Sequence, residues 1–119
     1  MLAGDAAAGL IADTIHVHPA VMRLALAARD EGIFLVTDCM AFAGTDMTEM
    51  HLGGRRILRR DGRLTLADGT LAGADLTLPQ AVAMLVGTVG IAPERALRMV
   101  SATPAALLGV QDRHGALAP

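Results

Sequence analysis

The run Ile33-Phe34-Leu35-Val36-Thr37-Asp38 narrows the folds open to this chain more than any other stretch. A continuous apolar segment ends abruptly in a carboxylate. A strand that meets no water on either face reads in this way, as strands do in parallel α/β sheets and barrels. In those folds the carboxyl end of a strand is where ligands bind and reactions occur. Asp38 is therefore a candidate acid/base. The plainer alternative is that it caps or turns the chain.

A second short strand is predicted just upstream, over Gly9-Leu10-Ile11-Ala12-Asp13-Thr14, with His16-Val17-His18 after it. Pro19 then opens a helix at its first position, where a missing N–H costs nothing. The helix is expected to run to about Asp30, with Val21, Leu24, Ala25 and Ala28 as its apolar stripe and Gly32 beyond its end. This is a β-loop-α-β unit, and such units imply parallel strands. Two strands of this kind do not make a stable parallel sheet alone, so both call for neighbours.

After Asp38 comes a loop, Cys39 to Asp46, with Gly44 as its flexible point. Residues 49 to 66 read as antiparallel hairpins around Gly53-Gly54 and Asp61-Gly62, the second flanked by Ile57, Leu58, Leu64 and Leu66. Asp68-Gly69 marks a further turn, and Gly69 to Gly73 reads as a small-residue loop. Three helices are predicted to follow: Leu78 to about Val89 behind Thr77, Ala92 to about Ala102, and a short one from Thr103-Pro104 to Gly109.

Composition sharpens this picture. The 119 residues suffice for one small domain and are 53% hydrophobic, yet they include two Phe and neither Tyr nor Trp. A small self-sufficient core draws on large rings for buried area. Here Ala, Leu, Val and Met replace them, which suggests apolar faces completed from outside the chain. The net charge of −2 gives no electrostatic case for nucleic acid. All ten basic residues are Arg, and Arg55, Arg56, Arg59, Arg60 and Arg63 cluster in a way that suits the solvated face of a hairpin. Cys39 is alone, which fits a reducing compartment. The uncharged stretch 76–93 is interrupted by Pro79, Gln80, Gly87 and Gly90, so it reads as a buried helix and not as a membrane span.

Several polar side chains are candidates for chemistry. His16 and His18 form a His-x-His pair, but zinc calls for at least three protein ligands, and only Asp13 and Asp38 are offered nearby. Hydrogen bonding of a ligand by His16 suits the pair better, with His18 at the helix entry. Asp13 alone reads either as a rim carboxylate or as an acceptor for loop N–H groups. Cys39 has no adjacent basic residue to activate its thiol. The Gly69–Gly73 loop lets a backbone approach a ligand closely.

Taken together, Gly9 to Val17, Leu35-Val36-Thr37-Asp38, Asp68-Gly69-Thr70-Leu71-Ala72-Gly73, Ala96 to Val100, Thr103 to Gly109 and the closing Gly115 to Pro119 resemble the C-terminal part of N-acetylglucosamine-6-phosphate deacetylases, of the amidohydrolase superfamily. The resemblance covers nearly the whole chain. It implies an α/β fold: the last two strands and helices of a (β/α)8 TIM barrel, with a β-hairpin insert after the final strand. Residues 1–119 would be a partial metal-dependent hydrolase barrel domain, truncated at both ends. It implies Asp38 as the catalytic acid/base. Asp13, Thr14, Ile15 and His16 would bind substrate at the sugar phosphate, and Leu71, Ala72 and Gly73 would contact it as well.

The sequence departs from the family pattern at Thr14, where Gly is usual, and at Cys39, where Ala is usual. The family's metal ligands, a Glu and two His, lie on earlier strands. The resemblance thus implies a divalent metal, zinc or similar, in the full-length enzyme and none held by this chain. The implied reaction is deacetylation of N-acetylglucosamine 6-phosphate to glucosamine 6-phosphate and acetate. The implied partner is the amino-sugar phosphate, in a cytoplasmic homo-oligomer. The alternatives are a non-catalytic or domain-swapped fragment and another amidohydrolase of the dihydroorotase type.

Overall fold

In the computed structural model, which describes residues 6–117, the predicted parallel pair forms. Strand β1 (Ala8–Ile11) lies beside β2 (Ile33–Val36), with Ala8 opposite Ile33 and Ile11 opposite Val36. Met1 and the closing Ala118-Pro119 lie outside the described residues. The chain divides into two compact units. One contains the residues up to Val36 and from Leu78 onward, and the other is Thr37–Thr77.

In the first unit, helix α1 (Pro19–Ala28) links the two strands. Pro19 takes the first turn as expected, and the His18 side chain caps the helix by accepting the Ala20 N–H at 3.2 Å. The buried stripe differs from the expected one. Met22 and Leu26 are buried, whereas Val21, Leu24 and Ala28 are exposed. The helix is apolar nearly all round, so periodicity does not choose its inward face; packing does. It also ends at Ala28, short of Asp30, where Arg29 turns to an extended conformation.

Helix α2 (Leu78–Met84) widens into a π-helical turn over Leu85–Val89, and helices α3 (Pro93–Val100) and α4 (Ala102–Leu107) follow, separated at Ser101. These helices pack on β2, and α1 packs on the π turn, where Arg23 Nη1 donates to the Thr88 carbonyl at 3.2 Å. Arg95 Nη2 holds the end of α1 through the carbonyls of Leu26 and Arg29, each at 2.7 Å. The core gathers Leu10, Met22, Leu26, Ile33, Leu35, Ala81, Leu85, Ala96 and Met99. Along β2, Ile33 and Leu35 are buried while Phe34 and Val36 are only half-buried. The expected burial of both strand faces is therefore half met within this chain. No helix among the described residues is long and apolar enough to cross a membrane.

The second unit is an antiparallel sheet of four strands in sequence order: β3 (Glu49–Leu52), β4 (Arg55–Arg60), β5 (Arg63–Leu66) and β6 (Leu71–Ala74). The two-residue turns Gly53-Gly54 and Asp61-Gly62 have positive φ at both positions, which matches the twist of tight hairpins. The fourth strand was not foreseen. Leu71, Ala72 and Gly73 were expected in a loop, and they pair with β5 across a register shift. Phe42, Ile57 and Leu64 form this unit's core, with Met40, Met50, Leu66 and Ala72 packed around them.

Candidate active site

Each unit carries one group of the expected site residues. In the first, the chain leaves β1 and reverses at Thr14, whose φ is +65°. Asp13 closes the reversal. Its Oδ1 accepts the N–H groups of Ile15 and His16, each at 2.9 Å, and its Oδ2 meets His16 Nδ1 at 2.6 Å. The Asp13 side chain is 7% exposed and that of His16 is 20% exposed. Burial alone raises the Asp13 pKa, but the His16 side chain and the two backbone N–H groups favour the carboxylate, and the net shift is downward. An ionised carboxylate only accepts, so Nδ1 carries the hydrogen and Nε2 is the ring nitrogen left for a ligand. Asp13 thus orients His16, its own oxygens being engaged within the loop. His18, the other member of the pair, serves as the cap of α1.

In the second unit, Asp38 does not end the strand itself. The β pairing stops at Val36, and Asp38 turns away with φ at +51°. Its side chain is exposed and has no hydrogen-bond partner among the described residues. Its backbone, by contrast, is held: the Asp38 carbonyl accepts the Ala74 N–H at 2.9 Å, and Cys39 bridges to Ala74. Gly73 lies against the same place. A Cβ at Gly73 would stand 3.1 Å from the Asp38 carbonyl oxygen and 3.0 Å from Met40 Cγ. The fold therefore joins Asp38 to Gly73 directly, through the unforeseen strand β6. Ala72 packs toward the core cluster, and Leu71 is half-buried on the same strand.

Among the described residues, no group of three or more His, Cys, Asp or Glu side chains is placed to hold a metal ion. Arg59 is the residue that the sequence reading misplaced. It was expected on a solvated hairpin face, yet its side chain is 19% exposed and ion-paired with Asp75 at 2.7 Å. The signal was available: Arg59 stands two positions after Ile57 and therefore on the same face of β4. The rest of the Arg cluster behaves as expected. Arg55, Arg56, Arg60 and Arg63 are exposed, and Arg56 pairs with Glu49.

No family model matches the chain. Relatives do. An N-acetylgalactosamine-6-phosphate deacetylase of Escherichia coli O157:H7 is 40% identical over 92% of this chain and 29% of its own length. An N-acetylglucosamine-6-phosphate deacetylase of Haemophilus influenzae is 29% identical over 98% of this chain and 31% of its own. Among solved structures, the N-acetylglucosamine-6-phosphate deacetylase of Pasteurella multocida superposes with a TM-score of 0.95 at 33% identity, covering 98% of this chain and 31% of that one. The Thermotoga maritima enzyme of the same name gives 0.89 at 31% identity, over 98% and 32%. The chain thus spans about 30% of the length of each of these proteins. In sequence and in fold, it matches a partial, C-terminal segment of proteins named N-acetylglucosamine-6-phosphate deacetylase.

Proposed function

We propose that this chain is the C-terminal part of a hydrolase that removes the acetyl group from an N-acetylated amino-sugar 6-phosphate. In that reading, β1 and β2 are the last two strands of a (β/α)8 barrel, and the four-stranded sheet is an insert after the final strand. The observation that carries it is the state of Asp38: an exposed carboxylate with no hydrogen-bond partner among the described residues, on a backbone pinned to Ala74, just past strand β2. The half-buried outer face of β2 and the exposed Val21 and Leu24 support a chain completed by other strands and helices.

The chemistry assigned to these residues is proton transfer and orientation. Asp38 takes a proton from the water that attacks the acetamide carbonyl. It then delivers that proton to the nitrogen as the C–N bond breaks, giving the free amine and acetate. His16 Nε2, oriented by Asp13, holds the 6-phosphate and so orients the acetamide. Gly73, lacking a side chain, lets the sugar approach the backbone of β6. The divalent metal expected of the full-length enzyme finds no donor set among the described residues, and none of these steps passes through it.

The test is a chimaera in which this chain replaces the matching segment of the Pasteurella multocida enzyme. It should deacetylate N-acetylglucosamine 6-phosphate, and Asp38→Asn should lower its kcat by about 10²–10⁴-fold. Near-normal turnover by Asp38→Asn refutes the role. The 119-residue chain alone should show no turnover.

A second reading concerns the sugar epimer. The relative that is 40% identical is named for N-acetylgalactosamine 6-phosphate, whereas the Haemophilus influenzae and Caenorhabditis elegans relatives named for the glucosamine epimer are 29% and 34% identical. Comparing kcat/KM on the two epimers separates the readings.

A further inference from the structure

Arg59 bridges two segments that flank Asp38 and Gly73. Its Nη1 donates to the Thr45 carbonyl at 2.6 Å, and its Nη2 donates to the Phe42 carbonyl and to Asp75 Oδ1, the latter at 2.7 Å. The guanidinium carbon stands 5.3 Å from the centre of the Phe42 ring. Phe42 and Thr45 belong to the loop after Asp38, and Asp75 directly follows β6. A planar fork of fixed donors can hold three such acceptors at once, which a single ammonium on a flexible stem does poorly.

The loop is tightened around the same point. The Thr45 N–H and Oγ1 both return to the Phe42 carbonyl, at 3.0 and 2.9 Å, and the Ala43 N–H reaches the Met40 carbonyl at 3.0 Å. At the other end the Ala74 N–H holds the Asp38 carbonyl at 2.9 Å. Asp38 itself keeps a left-handed backbone with φ at +51°, and such conformations persist where the surroundings over-determine them. Its carboxylate, having no partner among the described residues, contributes nothing to that restraint. The contacts at Asp38 itself are made by its backbone, through Ala74 and the neighbouring Cys39–Ala74 bridge.

We propose that Arg59 is a positioning residue for Asp38. By tying Phe42 and Thr45 to Asp75, it keeps the chain from Asp38 to Thr45 docked against Gly73 and Ala74. The sheet formed by β3 to β6 then acts as the support of the acid/base. This rests on the reading of Asp38 given above, but its mechanics are measurable in the chain itself.

Amide exchange and NOE measurements on the 119-residue chain test it. Arg59→Met keeps the aliphatic stem and removes the fork. The Ala74 amide should then exchange about tenfold faster or more, while amides paired between β3 and β4 change by less than about threefold. The strong intraresidue HN–Hα NOE that positive φ produces at Asp38 should weaken. Arg59→Lys should recover part of both signals, and Arg60→Met, on the opposite face of β4, should change neither. Asp75→Asn should shift both signals in the same direction as Arg59→Met, and it decides the matter if Arg59→Met does not fold. Unchanged exchange and NOE in the folded variant, or an equal rise at every β3–β4 amide, overturns the proposal. Failure of the catalytic reading shows elsewhere, as undiminished turnover in the Asp38→Asn chimaera, and leaves the exchange result standing.

Discussion

Replacing Gly73 by Ala should cost far more than replacing a glycine in an open turn. Gly73 has φ at +117°, outside the small left-handed region that other residues tolerate. Holding a residue with a side chain there costs about 1–3 kcal/mol. The new Cβ would also stand 3.0 Å from Met40 Cγ and 3.1 Å from the Asp38 carbonyl oxygen. The methionine can turn aside. The carbonyl cannot do so freely, because it accepts the Ala74 N–H at 2.9 Å. Displacing it weakens a bond worth about 0.5–1.5 kcal/mol. The sum is about 1.5–4.5 kcal/mol.

Gly62→Ala is the matched control. Gly62 has φ at +72° with nothing within 4 Å, so only the backbone term of about 1–2 kcal/mol applies. The chain lacks Trp and Tyr, so urea unfolding is best followed by far-UV circular dichroism. Gly73→Ala should lose stability beyond the control by about 1–2 kcal/mol. In the chimaera it should also lower kcat, since the Asp38 backbone must move. A loss no greater than that of Gly62→Ala would refute the close approach of β6 to Asp38.

Two further outcomes follow from the packing and the electrostatics. Leu64 is fully buried beside Phe42 and Ile57, so Leu64→Ala should cost about 2–5 kcal/mol in the same urea assay, and a loss below 1 kcal/mol would show that the sheet core is loosely packed. The Asp13 pKa is lowered from 3.8, so its carboxylate stabilises the fold above that value, and the stabilisation is lost as pH falls through the lowered one. The stability difference between the wild type and Asp13→Ala should therefore hold from neutral pH down to about 4 and shrink only below it. A difference that persists undiminished in strong acid would contradict the lowered Asp13 pKa.

Much of the fold was legible because local signals carried it. Pro19, Pro93 and Gly90 mark helix ends in the structure as their backbone chemistry requires. Gly53-Gly54 and Asp61-Gly62 place the hairpins. The apolar run from Ile33 marked a parallel strand, though the pairing stops at Val36 and leaves Thr37 and Asp38 to turn. Strand β6 was hidden because Leu71-Ala72-Gly73-Ala74 has weak strand propensity. It pairs only because β5 offers it an edge and Asp38 and Cys39 hold its far end.

The site divides along the same line. Asp13-Thr14-Ile15-His16 is a local motif whose hydrogen bonds span at most three residues, so its loop geometry is encoded locally, and the family resemblance is what marked it as a candidate. The sequence alone singled out Asp38, as the carboxylate that ends an apolar run. What it left open is what the chain around Asp38 packs against. Gly73 and Ala74, which meet Asp38, and Arg59 and Asp75, which meet the loop after it and each other, lie about 20 to 37 residues away in the chain and leave no periodic trace. Only tertiary structure decided that they converge, because a backbone carbonyl at a turn takes whichever N–H the folded chain brings to it.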